Sequence, residues 1–176
     1  MLSLAKISRA LYGVWRLALL DADGLKHFDD TIEAYWQSFQ AAIVAAPAYA
    51  ILVAIRLAVT ETEAGLLQIV LAEAISYTIN WVAFPLAMIH VCDRIGCFDR
   101  YVRYIIAHNW SAVIQIALFL SAMILARGIL GAGAGTILLI ATSLAILFYQ
   151  WFVARTALAV SGGVAAAIVG LDLVIS

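Results

Sequence analysis

The chain has 176 residues, 66% of them hydrophobic and only 12% charged, with a mean hydropathy of +1.05. A soluble domain is about half apolar and about a quarter charged, so these values exclude one and predict an all-α, polytopic membrane protein. A formal net charge of −1 with no basic cluster offers nucleic acid no footprint, and two cysteines are too few for a disulfide scaffold.

Residues 2–20, LSLAKISRALYGVWRLALL, read as an amphipathic helix rather than a span. Lys6, Arg9, Gly13 and Arg16 recur at spacings of three and four and form a narrow basic face. Leu4, Ile7, Leu11, Val14, Trp15 and Ala18 fall mainly opposite. A basic face beside aromatic and apolar residues describes a helix lying in the membrane surface, with Lys6, Arg9, Arg16 and Trp15 at the headgroups. The alternative is a helix packed on the protein's own cytoplasmic surface. The same three cations interrupt any signal-like apolar core, so this terminus is expected to be retained. Residues 1–30 are therefore read as a cytoplasmic or interfacial segment, and residues 31–176 as the membrane domain.

Asp30 is placed to cap the next helix, with Glu33 reaching back as in a capping box. That helix leads into a first span, about 38–59, introduced by Tyr35 and Trp36 and interrupted by Pro47. A short turn at residues 60–63 precedes the second span, about 65–91, GLLQIVLAEAISYTINWVAFPLAMIHV, with Pro85 near its far end. The charged connection from Cys92 to Asn109 comes next, then a third span, about 110–126. The glycine-rich turn GILGAGAG introduces a fourth, about 136–154. Arg155 is read as its end, and a fifth span occupies about 156–176. Each is near the roughly 20 residues that a bilayer core requires.

Of the ten lysines and arginines, eight fall on one side of this arrangement: Lys6, Arg9, Arg16, Lys26, Arg94, Arg100, Arg103 and Arg155. Only Arg56 and Arg127 fall on the other. The positive-inside rule then puts the N-terminus in the cytoplasm and, with five spans, the C-terminus outside.

The second span carries the chemistry. At about 100° per residue, Glu73, Ser76, Tyr77 and Asn80 share one helix face. A polar stripe in a membrane helix turns toward protein or a water-filled cavity, and an ionised acid there needs a cation. Arg56, at a similar height on the preceding antiparallel span, is the natural partner of Glu73. Such a pair is either a proton or cation site or a structural tie between two helices. Tyr77 and Asn80, with Gln115 and Gln150, could line a polar path or act as hydrogen-bonding glue between helices. Asp172 and Arg127 are expected to pair near the outer face and tether the last span to the third.

His90, Cys92, Cys97 and His108 cluster where spans two and three end. They are metal-ligand types, and the two histidines could serve as axial haem ligands. The spacing H-x-C-x4-C-x10-H matches no close-spaced zinc signature, so no metal or other cofactor is assigned. GAGAG lacks the lysine and the strand of a phosphate loop and is read as a hairpin. In the last span, Ala159, Gly163 and Ala167, with Ala166 and Gly170, form small-residue rows that permit close helix contact. No serine–histidine–acid grouping, HExxH or carboxylate pair points to an enzyme.

An N-terminal cytoplasmic segment, five closely spaced spans, the lead YWQSFQAAIVAAP and small residues in the last span together resemble the Yip1-type membrane proteins. That resemblance implies a membrane-organising or accessory role, and with the short Lys/Arg-biased loops it suggests a bacterial inner membrane. The sequence thus supports three functional expectations. The first is a non-enzymatic accessory or scaffold protein associating with itself or other membrane subunits in the lipid bilayer. The second is a small oligomeric transporter or channel with a polar path around Glu73, Tyr77 and Asn80. The third is a haem or metal protein using His90 and His108.

Overall fold

A computed structural model describes residues 4–58 and 65–175. Among the described residues the chain is entirely helical, with seven α-helices, two short 3-10 helices and no strand. Helix α1 (Leu4–Ala18) is followed by a 3-10 turn (Ala22–His27), then α2 (Ile32–Ser38), α3 (Gln40–Leu57) and α4 (Leu66–Ile95). A second 3-10 turn (Phe98–Arg100) leads into α5 (Tyr101–Gly128), α6 (Ala132–Leu158) and α7 (Gly162–Ile175).

Four segments are long and apolar enough to cross a membrane: Ile32–Leu57, which joins α2 to α3, then Leu66–Ile95, Phe98–Gly128 and Ala132–Leu158. The protein is therefore a multi-pass helical membrane protein with four such segments, where the sequence predicts five spans. In place of the fifth, the described residues form a shorter apolar helix, α7. Arg155 does not end α6; its guanidinium lies over the Trp151 ring, 5.2 Å from the centroid, and the helix continues to Leu158. The chain then turns through Ala159 (φ 51°). Helix α7 is left with 14 described residues, about 21 Å at the α-helical rise, against the roughly 30 Å of a hydrocarbon core.

Other expected boundaries move for related reasons. The connection predicted from Cys92 to Asn109 shrinks to five residues, 96–100. Its charges sit at helix ends, while Tyr101, Tyr104 and Ile105 are buried and extend α5 by about two and a half turns beyond the predicted span. Gly96 (φ 71°) supplies the left-handed residue that stops α4. Thr31, not Asp30, caps α2: its Oγ1 accepts from the Ala34 amide at 3.1 Å. Asp30 instead receives Arg103 Nε at 2.9 Å and ties the start of α2 to α5. The glycine-rich stretch is only partly a turn, because Ala132–Gly135 already belongs to α6. A Cβ on Gly135 would lie 2.8 Å from the Ala126 carbonyl oxygen, so glycine there sets the closeness of α5 and α6.

The core lies at the charged end of the bundle. Phe84, Met88 and Cys92 of α4 meet Tyr104 and Ile105 of α5, Val153 and Leu158 of α6, and Ala165 and Ile168 of α7. Val14 and Leu17 of α1 belong to the same core, so the N-terminal segment is packed onto the membrane bundle. Tyr149 fixes this join by donating to the Val14 carbonyl at 2.9 Å while bonded to Ser111 Oγ at 2.9 Å. Beneath α1, Gly13 and Gly24 meet backbone to backbone; a Cβ on Gly24 would lie 2.5 Å from the Gly13 carbonyl oxygen. Toward the opposite end, Leu71, Ile75, Leu118, Ile137 and Leu144 are exposed and offer apolar faces to lipid.

Candidate functional site

The predicted polar stripe on α4 faces α3 at one height and a cavity at the next. Glu73 is ion-paired with Arg56 and also accepts a hydrogen bond from Tyr49 Oη at 2.9 Å. Tyr49 precedes Arg56 by seven residues, two helical turns, so both project from one face of α3. That spacing is a signal from which Tyr49 could have been found. One turn deeper, the Tyr77 ring packs tilted against Tyr49 with centroids 4.6 Å apart, and its hydroxyl donates to the Ala42 carbonyl at 2.7 Å. Ser76 is exposed and leaves the stripe. An apolar groove of about 340 Å³ separates α3 from α4 here, lined by residues such as Val53, Leu57 and Val70 with Glu73 at its wall.

Below the two tyrosines lies a second, partly open cavity, also about 340 Å³, lined by residues of α3, α4, α5, α6 and α7. Its polar lining is Tyr49, Tyr77, Asn80, His108, Asn109, Gln115, Gln150 and Asp172; Trp81, Phe119 and Ile146 are among its apolar walls. Tyr49 and Tyr77 line both spaces and so form the partition between them.

The polar groups fall into two kinds. Asn109 is committed to structure, donating to Ser38 Oγ at 2.9 Å while Ser38 donates to the Tyr35 carbonyl at 2.7 Å. Gln150 spans the cavity wall, its Nε2 donating to Gln115 Oε1 at 3.1 Å and to Asp172 Oδ2 at 3.2 Å. Asn80 and His108 face the same space without a side-chain hydrogen bond among the described residues. The His108 ring packs 4.4 Å from the Phe84 centroid, which fixes its plane. Asp172 is only 8% exposed, and Gln150 is its hydrogen-bond donor. The cavity thus holds one carboxylate, one imidazole and several amides in a mostly aromatic and aliphatic wall. Such a mixture is typical of small-solute sites.

Comparison with protein-family models, with curated proteins and with solved structures finds no match. Function is therefore argued from the site itself.

The Asp172–Arg127 pair expected from the sequence does not form. Helix α7 enters from the end of α6 and folds back along it, which sets Asp172 beside Gln150, mid-bundle. Arg127 is exposed at the far end of α5. The metal-ligand candidates do not converge either. His90 is exposed on α4, Cys92 and Cys97 are buried free thiols, and His108 faces the cavity. Among the described residues no group of three or more His, Cys, Asp or Glu could hold a metal.

The basic face of α1 is paired within the chain. Lys6 lies 3.8 Å from Glu33, Arg9 lies 3.3 Å from Asp29, and Arg16 pairs with Asp21. The Arg16 hydrogen bond holds the Asp21 carboxyl below its usual range, and Asp21 in turn raises Arg16. What α1 leaves exposed is a separate strip containing Leu4, Tyr12 and Trp15, continued by Leu19 just beyond it. Of the small residues in the last helix, Ala159 lies in the turn, while Gly163, Ala166, Ala167 and Gly170 are exposed on α7.

Proposed function

We propose that this protein binds a small polar solute in the cavity between α3 and α7 and acts as a transporter or channel subunit. The observation that carries this reading is the buried Asp172 carboxylate inside a bundle of long apolar helices. It faces a cavity with Asn80 and His108, which have no side-chain hydrogen bond among the described residues. Intramembrane ionisable groups are costly, and a purely structural core would fill or pair them. The groove beside Glu73 lies on the other side of the Tyr49–Tyr77 partition, so movement of these two rings would join it to the cavity.

The lysine and arginine bias supports a cytoplasmic N-terminal cap, as in a bacterial inner-membrane protein. Four crossings return the chain to that side at residues 159–161, from which α7 re-enters the bundle. A second reading, self-association or an accessory role with other membrane subunits, is favoured by the exposed Gly163, Ala166, Ala167 and Gly170 on α7.

The test is calorimetric titration of the purified full chain in mild detergent with glycerol, urea, acetate and choline. The proposal expects saturable binding of at least one of them, abolished by Ala112→Trp, which fills the cavity. No binding by any, or binding unaffected by Ala112→Trp, refutes it.

A further inference from the structure

The chemistry of the cavity wall selects among solutes, and the selection rests on the solute-binding reading above. Asp172 is the one carboxylate among the described lining residues, and no lysine or arginine lines the cavity with it. The nearest guanidinium on the α3–α4 side, Arg56, is paired with Glu73 beyond the Tyr49–Tyr77 partition. The Asp172 carboxylate receives the neutral amide of Gln150 and has capacity left for further donors. A carboxylate inside a membrane bundle is stable when protonated or when a cation accompanies it. The remaining wall suits such a cation: Tyr49, Tyr77, Trp81 and Phe119 offer aromatic faces, the usual surface for alkylated ammonium groups. An anion would meet the Asp172 charge, and the one cavity-lining group able to offset it is the His108 imidazole. A bare metal ion would find amides and rings around about 340 Å³ rather than a compact shell of oxygens.

We propose that the cavity is selective for a small organic ammonium ion, its charge facing Asp172 and its alkyl groups facing the aromatic wall. The volume lies within the range of ligand pockets, from about 300 Å³ upward, and admits a solute of choline's size.

The experiment compares choline with 3,3-dimethylbutan-1-ol, its neutral isostere, by titration calorimetry on the detergent-purified full chain. Choline is expected to bind saturably and at least about tenfold more tightly than the alcohol. Asp172→Asn should weaken choline by about tenfold and leave the alcohol unchanged. Should that variant fail to fold, the wild-type comparison decides alone, because it alters only the charge of the solute. Equal binding of choline and the alcohol, or preference for acetate, overturns the ammonium assignment and leaves solute binding standing. Unchanged choline affinity in a folded Asp172→Asn protein also overturns it. Absence of binding by every solute in the panel removes the solute-binding reading itself.

Discussion

Glu73→Gln tests how α3 and α4 are held together. The first half of α4 buries little against its neighbours and meets α3 through the Glu73 and Tyr77 contacts. The Glu73 carboxylate is 24% exposed and accepts from both Arg56 and Tyr49, whereas Arg56 is 54% exposed. A glutamine can accept through Oε1, but its Nε2 donates, so one of the two donors loses its acceptor. A hydrogen bond to a charged group contributes about 1.5–3 kcal/mol, and the half-exposed guanidinium recovers part of that loss outside the protein. The expected destabilisation is about 1–2 kcal/mol, or about 5- to 30-fold in the unfolding equilibrium. Reversible unfolding in mixed micelles, driven by dodecyl sulfate and followed by tryptophan fluorescence, gives the number. Arg56 makes contacts beyond Glu73, so its single substitution is not a clean deletion, and a double-mutant cycle with Arg56→Gln is needed. The cycle should return a coupling of about 1 kcal/mol; a value within about 0.3 kcal/mol of zero would refute the reasoning.

Three further outcomes are expected. Tyr149→Phe removes the hydroxyl joining Val14 of α1 to Ser111 of α5, and should cost about 1–3 kcal/mol because a buried carbonyl and hydroxyl lose their partner. An unchanged unfolding midpoint and unchanged protease sensitivity of residues 4–30 would contradict this. Gly24→Ala places a Cβ against the α1 backbone and should destabilise by about 1–3 kcal/mol, while Gly128→Ala, whose Cβ meets nothing, should stay within about 0.5 kcal/mol; equal effects in the same unfolding assay would count against the close contact. The Asp21 carboxyl is held low by Arg16, so its contribution is present above the ordinary aspartate range near pH 4 and is lost as pH falls through the lower folded-state value. Trp15 fluorescence, followed from neutral to strongly acid pH, should show an acid transition that Asp21→Asn removes; an identical transition in that variant would exclude Asp21 as its source.

The four long helices were legible because each is a sustained apolar run bounded by charges or glycine. The Glu73–Arg56 pair was legible because α3 and α4 are consecutive and antiparallel, so height can be counted along both from the turn that joins them. Where α6 ends and α7 begins was not legible. Arg155 looks like a helix end, but its guanidinium packs over the Trp151 ring and α6 runs on to Leu158. That one turn moves Asp172 from an expected outer-face tether to the cavity beside Gln150. The choice of Thr31 over Asp30 as cap rested on Arg103, 73 residues away, claiming Asp30. The cavity was hidden for the same kind of reason. Asn80, His108 and Asp172 lie on three helices, and no local spacing reports how those helices rotate against one another.

The most direct test of the account is whether the space between α3 and α7 is open to polar solutes in the membrane. With Cys92 and Cys97 replaced by alanine, single cysteines are placed at Ala112, which lines the cavity, and at Leu118, which is exposed on the outer surface of α5. A small cationic methanethiosulfonate is then applied to the protein in native membranes. The account predicts rapid modification at position 112, protection by choline, and no reaction at the lipid-facing position 118. Inertness at 112, or equal reaction at both, would contradict it.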